Sequence, residues 1–283
     1  ESLNINDIEL WLENYDLVKN PKKIGLILAG NIPFVGLHDI LSVWFSGHKA
    51  LVKLSNKDSY LIPHVIKYLE KQCPETKGQI IFLNKKMNNI DAVIATGSDN
   101  TARYFDYYFR RVPKIIRKNK TGVAVIKGDE TKKQIELLAY DIIAHYGLGC
   151  RNVSKLFIPK NYDLNLIFGG LYKYSNVIES VKYTNNYDYN KAVFLMSEYK
   201  FMDNGFFMLK NDSRLNSPLS SAFYSEYNSL DALKTSLEMK KSKIQCIISK
   251  MNIKNCIGFG EAQKPKLFEY ADGINTLDFL KKL

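Results

Sequence analysis

No apolar run in this 283-residue sequence approaches the roughly 20 residues that a membrane span requires. The greasiest stretches, residues 24–29 and 92–95, are broken within a few positions. Cysteine is scarce: Cys73, Cys150, Cys246 and Cys256 form no Cys-x-x-Cys pair, so neither a disulfide scaffold nor a zinc site is indicated, and no bound metal is expected. The four histidines, His38, His48, His64 and His145, show no metal-ligand spacing. Gly-x-Gly-x-x-Gly is absent, which removes the common dinucleotide fingerprint. There is no repeat of fixed period, no low-complexity tract and no obvious linker. The opening residues Glu1-Ser2-Leu3-Asn4 have neither the basic nor the apolar region of a secretory signal, and no initiator Met. The expectation is a soluble cytoplasmic protein whose chain has been processed or truncated.

What is present is the composition of an ordinary globular protein, 46% hydrophobic and 24% charged, which excludes disorder, collagen and coiled coil. At about 150 residues per domain the length suggests two domains, with room for a cleft between them. Lys and Arg number 40 against 29 Asp and Glu, for a formal charge of +11. The lysines are spread along the whole chain and are locally dense only at residues 114–120. The excess therefore reads as general, helpful toward phosphorylated ligands, and not as a nucleic-acid surface.

Short β-branched runs alternate with longer amphipathic segments, the pattern of a parallel α/β architecture. Strands are expected at residues 24–29, 50–54, 79–83, 91–95, 122–126, 155–158, 205–209, 219–224 and 244–249. Helices are expected at 35–45, 59–71, 100–109, 130–146 and 229–240. The fourth of these places Ile135, Leu138, Ile142 and Tyr146 at helical spacing, with Asp129 or Thr131 available as cap. Residues 161–190 are rich in Tyr and Asn and carry no clear period. A change of domain is expected near residues 121–129.

Four segments have the residue types that chemistry needs. Ala29-Gly30-Asn31-Ile32-Pro33 follows a strand, and the Asn31 amide suits a developing oxyanion, although an Asx turn would use the same residues. Residues 46–55 end a strand at Lys53 and Ser55, where open α/β sheets hold ligands; a solvent-facing lysine reads the same way. Thr96-Gly97-Ser98 opens a helix, which suits a pyrophosphate and equally an N-cap. Gly147-Leu148-Gly149-Cys150-Arg151-Asn152 sets a cysteine between glycines; a helical turn starting there, with Arg151, would favour the thiolate, while a buried inert thiol is the alternative. His145 reads as structural, and the 18 tyrosines as core and interface residues.

Taken together and in this order, these segments resemble the aldehyde dehydrogenase superfamily, and the whole chain is similar to its acyl-CoA reductase branch, the LuxC-like fatty-acid reductases. Asn31-Ile32-Pro33 matches the Asn-x-Pro turn, residues 47–55 the Gly-Asn-x-x-x-x-Lys-Pro-Ser strand, Thr96-Gly97-Ser98 the Thr-Gly-Ser turn, and Gly149-Cys150 the nucleophile segment. Ser217-Pro218-Leu219-Ser220 resembles the stretch after the late Glu-x-Phe-Gly-Pro motif, and Tyr270-Ala271-Asp272-Gly273 the LuxC-like C-terminus. Members of this branch are usually longer at the N-terminus.

The resemblance implies two Rossmann-like α/β domains with a cleft between them: a cofactor domain over residues 1–125, a catalytic domain over 126–255, and a C-terminal segment over 256–283. It implies Cys150 as nucleophile and Asn31 as oxyanion donor. Lys53 and Ser55 are implied on the adenosine ribose, and Gly97 and Ser98 on the pyrophosphate. Asn56-Lys57 stands where NAD-preferring relatives often carry an acid, so NADP(H) is favoured over NAD(H), with Lys57 near the 2′-phosphate. The implied reaction is reduction of a fatty acyl thioester, from CoA or an acyl carrier, to the aldehyde. A CoA-acylating aldehyde dehydrogenase and a non-catalytic acyl- or partner-binding module are the alternatives. An acyl-protein synthetase partner and homo-oligomers are also implied.

Two departures stand out. The Glu-Leu-Gly-Gly segment, whose glutamate activates water, falls on Arg117-Lys118-Asn119-Lys120, and no glutamate occupies the late Glu-x-Phe-Gly-Pro position. The first speaks against formation of a free acid and suits acyl transfer to or from a thiol.

Overall fold

The computed structural model describes residues 3–283. It contains two compact units. One runs to Asn119 and takes back the C-terminal segment Lys266–Leu283; the other is Lys120–Pro265. The divisions expected from the sequence fell after residues 125 and 255. The strand that opens the second unit lies before the first of them, and residues 266–283 return to the first unit.

The first unit contains α1 (Ile5–Leu12), β1 (Lys23–Ile27), α2 (Leu37–Phe45), β2 (Lys49–Lys53), α3 (Leu61–Gln72), β3 (Ile80–Phe82), β4 (Ala92–Thr96), α4 (Asp99–Tyr108) and β5 (Lys114–Arg117). Its sheet has the order β3-β2-β1-β4-β5 and is parallel throughout. Ile24 stands opposite Ala50 and Ala92, and Ile24, Leu26, Val52 and Ile94 are buried. Such strands read as continuous apolar runs because helices cover a parallel sheet on both faces.

The second unit contains β6 (Thr121–Val125), α5 (Lys132–Ile143), β7 (Val153–Pro159), α6 (Asn165–Leu171), α7 (Val181–Met196), β8 (Phe201–Asp203), β9 (Met208–Asn211), β10 (Ser221–Tyr227), α8 (Leu230–Met239), β11 (Ile244–Ile248) and β12 (Cys256–Ile257). The sheet order is β12-β11-β6-β7-β10-β9-β8, with β8 antiparallel to β9 and the other pairs parallel. Leu138 and Ile142 of α5 pack on Leu156 and Ile158 of β7 in its main core.

All nine expected strands and five expected helices form, with shifted ends. Thr131 caps α5 in a capping box with Gln134. That helix stops at Ile143, short of the expected 146, because His145 and Tyr146 turn left-handed. Arg117 belongs to the locally dense basic run at residues 114–120. It lies buried in β5, its guanidinium bonded to Asp39 of α2 and, at 3.0 Å, to Thr276 Oγ1. Thr276 opens α9 (Thr276–Lys281), and the C-terminal segment makes further bonds to the first unit through His38 to the Leu267 carbonyl (2.7 Å) and Trp11 Nε1 to Tyr270 Oη (2.8 Å). Among the described residues no helix is long and apolar enough to cross a membrane.

Candidate functional site

Three segments singled out in the sequence leave the carboxyl ends of adjacent strands of the first sheet. Gly30 and Asn31 follow β1, Ser55 follows β2, and Gly97 and Ser98 follow β4. The chain leaves β1 and β4 toward opposite edges of the sheet, so this is its topological switch point, where open α/β sheets bind ligands. The β1 and β2 exits stay paired, Leu28 N donating to the Lys53 carbonyl at 3.1 Å. Gly30 is demanded by that proximity: a Cβ there would stand 2.6 Å from both Cβ and Oγ of Ser55.

The turn beyond Asn31 is held by Asp58, a buried carboxylate that accepts the Phe34 N–H at 3.0 Å. Phe34 itself sits at φ 60°, a conformation few large residues adopt unaided. A depression of about 180 Å³ lies against Asn31, Pro33, Lys57 and Tyr60. Lys53, Lys57 and Asn31 are exposed and Ser55 is half-buried. Ser98 is the N-cap of α4, its Oγ accepting from Thr101 N at 3.3 Å, and Gly97 N donates to the Arg117 carbonyl at 3.1 Å. The N-cap reading of Ser98 is therefore realised, and the positive end of a ten-residue helix stands beside it.

Cys150 belongs to the second unit. Its side chain is exposed on a turn closed by Asn152 N donating to the Gly149 carbonyl at 3.1 Å. β7 begins at Val153, so no helical turn starts at Cys150 and helix-dipole activation has no basis; the inert buried thiol is likewise not what forms. The turn is anchored on four sides. Gly122 of β6 donates its N–H to the Asn152 carbonyl at 3.0 Å and packs so closely that a Cβ would lie 2.5 Å from the Arg151 carbonyl oxygen. Cys246 of β11 donates its thiol to that same oxygen at 3.6 Å. Arg151 Nε donates to the Ala262 carbonyl. The Asn152 amide bonds to the end of α5 and to Gly149.

Two ionisable groups of the second unit are shifted by burial. Asp141 on α5 accepts Gly260 N–H at 2.6 Å and Ala262 N–H at 3.1 Å, yet desolvation raises its carboxyl to about 6. Lys155 on β7 is fully buried with Nζ donating to the Asp212 carbonyl and to Ser225 Oγ; burial lowers its ammonium to about 8. The sequence reading named neither, nor Asn152 as a structural element. Asp141 left a trace: it interrupts the apolar face made by Leu138 and Ile142. Asn152 and Gly122 left none, since their partners are backbone atoms.

Asn31, Lys53, Ser55, Lys57, Gly97 and Ser98 thus share one edge of the first sheet, and Cys150 stands on the second unit. Arg117, at the position matched to the water-activating glutamate, is buried against Asp39. Among the described residues no three His, Cys, Asp or Glu side chains are grouped to hold a metal ion.

No family model matches the sequence. Over 257 residues, 78% of the chain, it is 24% identical to a long-chain acyl-protein thioester reductase of Aliivibrio fischeri. The chain spans about half of that relative's length, 52%. Among solved structures it is similar to the aldehyde dehydrogenase KauB of Pseudomonas aeruginosa, with a TM-score of 0.67 at 12% identity over 88% of this chain and 64% of that one. It is also similar to an aldehyde dehydrogenase of Mycobacterium tuberculosis complexed with NAD+, with a TM-score of 0.61 at 12% identity over 81% and 57%. An NAD+ complex of a Bacillus cereus aldehyde dehydrogenase gives 0.62 at 13% identity over 86% and 61%. The fold is that of the aldehyde dehydrogenases, and the resemblance to their LuxC-like branch is carried by the sequence relative.

Proposed function

We propose that this protein is an oxidoreductase that reduces a fatty acyl thioester to the aldehyde through an acyl group carried on Cys150. The observation that carries this reading is the exposed Cys150 on an anchored turn, in a chain whose sequence relative is an acyl-protein thioester reductase. The Cys150 sulfur attacks the thioester carbonyl, a new C–S bond forms, and the donor thiol leaves with the proton. Asn31 and the Cys150 backbone N–H are the oxyanion donors in this reading. Such donors are each worth about 3 kcal/mol in the transition state.

A reduced nicotinamide supplies the hydride that the second half-reaction consumes. The residues at the carboxyl edge of the first sheet fit a phosphate-bearing dinucleotide: Gly30 keeps the cradle beside Ser55 open, Gly97 and Ser98 stand at a helix N-terminus, and Lys53 and Lys57 are exposed cations. With Asn56-Lys57 in place of an acid after β2, a ribose 2′-phosphate meets attraction and not repulsion, which supports NADP(H). Arg117, buried on Asp39 where relatives place the water-activating glutamate, favours a thiol over water as the acyl partner. Acyl-CoA or an acyl carrier as donor, an acyl-protein synthetase as supplier and self-association belong to the same reading.

The test is loss of NADPH absorbance on addition of a long-chain acyl-CoA, alongside Cys150→Ala and with NADH replacing NADPH. Turnover that requires Cys150 and prefers NADPH is the expected result. Turnover only in the presence of aldehyde, free CoA and oxidised cofactor would favour the CoA-acylating direction. No turnover, with neither nicotinamide raising the melting temperature, would overturn the reading and leave an acyl- or partner-binding module.

A further inference from the structure

We propose that Asn152 is the positioning residue for Cys150, a clamp that sets the direction of the thiol and of the Cys150 backbone N–H. The assignment rests on the thioester-reductase reading for its kinetic consequence and on geometry alone for the rest. Asn152 is buried, 4% exposed, and its amide reaches both ends of the excursion that leads to Cys150. Nδ2 faces three carbonyls at the end of α5: Asp141 at 3.0 Å, Ile142 at 3.2 Å and Ala144 at 2.9 Å. Oδ1 accepts the Gly149 N–H at 2.8 Å. The carbonyls a helix leaves over at its C-terminus are thereby joined, through one side chain, to the residue that precedes the cysteine.

The segment that this clamp spans is strained. His145, Tyr146 and Gly147 occupy the left-handed region in succession, at φ 51°, 59° and 75°. Residues without the freedom of glycine stay there only where their surroundings over-determine them. Releasing the Asn152 amide removes the bonds at both ends of the excursion, while the β-sheet on which the turn rests is untouched. Asn suits the position because it combines a donor and an acceptor on one short side chain. Aspartate would set a charged acceptor against three carbonyls, and leucine or alanine would offer nothing to either end.

Asn152 touches no reacting atom in this reading; it acts through the N–H of Gly149, the residue that precedes Cys150, and through the carbonyls at the end of α5. Displacement of a nucleophile by about 1 Å costs on the order of 100-fold in rate. The loss should fall on turnover and not on cofactor affinity, because the residues proposed to hold the dinucleotide belong to the first unit.

The experiment compares the wild-type protein with Asn152→Ala and with Asn190→Ala, the latter removing another buried amide of the second unit, which donates to the Leu219 carbonyl at 3.0 Å. Alkylation of each cysteine by iodoacetamide is followed by peptide mass spectrometry over about pH 6 to 10, with exposed Cys73 of the first unit as internal reference. Asn152→Ala is expected to change the Cys150 rate by about tenfold and to move its pH midpoint, leaving Cys73 and the Asn190→Ala profile as in wild type. NADPH oxidation should lose about 100-fold in kcat with KM for NADPH held within roughly twofold. Asn152→Ser, which keeps one donor, should fall between the two and serves where the alanine variant does not fold. Equal changes at Cys150 in the Asn152 and Asn190 variants, or an unchanged Cys150 profile in a folded Asn152 variant, would overturn the assignment. If wild type itself shows no turnover, the reductase reading fails while the alkylation profiles still decide the role of Asn152.

Discussion

Asp141 and Ala262 are joined head-on: the Asp141 carboxylate accepts the Ala262 N–H at 3.1 Å, and Arg151 takes the carbonyl of the same residue. The loop containing residues 260–262 is thus gripped by α5 on one side and by the neighbour of Cys150 on the other. Asp141 is fully buried, and desolvation outweighs its two backbone donors, so its carboxyl titrates at about 6 against an ordinary 3.8. Between about pH 4 and 6 the folded protein therefore holds a proton that the unfolded chain has released. Stability from this group is complete below the unfolded value and is lost as pH rises through about 6, a change of at most about 3 kcal/mol. Urea unfolding of wild type and Asp141→Asn at intervals from pH 4 to 8 should show their difference changing across this window and levelling off above it. A constant difference would show that Asp141 is ionised in the fold throughout.

His48 has the opposite slope. Its Nδ1 accepts the Lys22 N–H at 3.0 Å, which leaves Nε2 as the donor to the Leu280 carbonyl at 3.1 Å and makes the ring neutral. Burial holds its titration below the usual 6.5. Protonation would set two N–H groups against each other at Nδ1, so the folded protein binds fewer protons than the unfolded chain just below pH 6.5, and stability falls with falling pH. His48→Gln is expected to flatten that acid limb. Thermal melts from pH 5 to 7.5 check it, and an acid limb as steep in the variant as in wild type would count against the neutral tautomer.

Lys155 is expected to tolerate loss of its charge. Its burial depresses the ammonium to about 8, so the unfolded chain holds the extra proton between about pH 8 and 10.5 and stability climbs with pH in that window. Replacement by Met fills the same space and leaves Ser225 Oγ bonded to the Asp212 carbonyl at 3.2 Å. The net cost should stay within about 2 kcal/mol, because Met removes a desolvated charge while the Asp212 carboxylate keeps its pairs with Lys210 and Arg214. The rise above pH 8 should shrink in Lys155→Met relative to wild type in denaturant titrations, and an unchanged rise would assign it to other groups.

Nine of the twelve strands among the described residues were legible because they advertise themselves locally. The runs around Ile24, Val93 and Val123 need nothing beyond their own apolar character to be recognised. What escaped depends on partners far along the chain. β5 reads as a basic run until Asp39, 78 residues away, pairs with Arg117. α7 hides its period because its inward face uses Tyr183, Tyr187 and Asn190 besides Phe194. The tyrosines bury their rings while their hydroxyls find partners, Tyr183 at the Phe206 carbonyl (3.0 Å) and Tyr187 at Asp203 (2.8 Å). The candidate site divides in the same way. Cys150, Asn31 and the glycine turns stand in recognisable motifs, whereas Asn152, Asp141 and Gly122 act through backbone atoms of other elements, and only the fold brings those together.

Gly122 and Gly30 separate the two halves of the proposed chemistry. A methyl group at Gly122 would collide with backbone, at 2.5 Å from the Arg151 carbonyl and 2.8 Å from that of Asn152, and neither can yield without moving the Cys150 turn. A methyl group at Gly30 meets Ser55, at 2.6 Å from both its Cβ and its Oγ, and stands 3.2 Å from Asp58 N, all within the first unit. Gly122→Ala should lose about 1 to 3 kcal/mol of stability, as overpacking does, and should alter alkylation of Cys150 while NADPH still raises the melting temperature. Gly30→Ala should leave Cys150 alkylation unchanged and weaken the NADPH-induced rise. Melting curves with and without NADPH, run beside iodoacetamide labelling of both variants, read the two effects independently. Loss of the NADPH shift in Gly122→Ala but not in Gly30→Ala would mean that the dinucleotide does not use the carboxyl edge of the first sheet, and Lys53, Ser55 and Gly97 would lose their assigned roles with it.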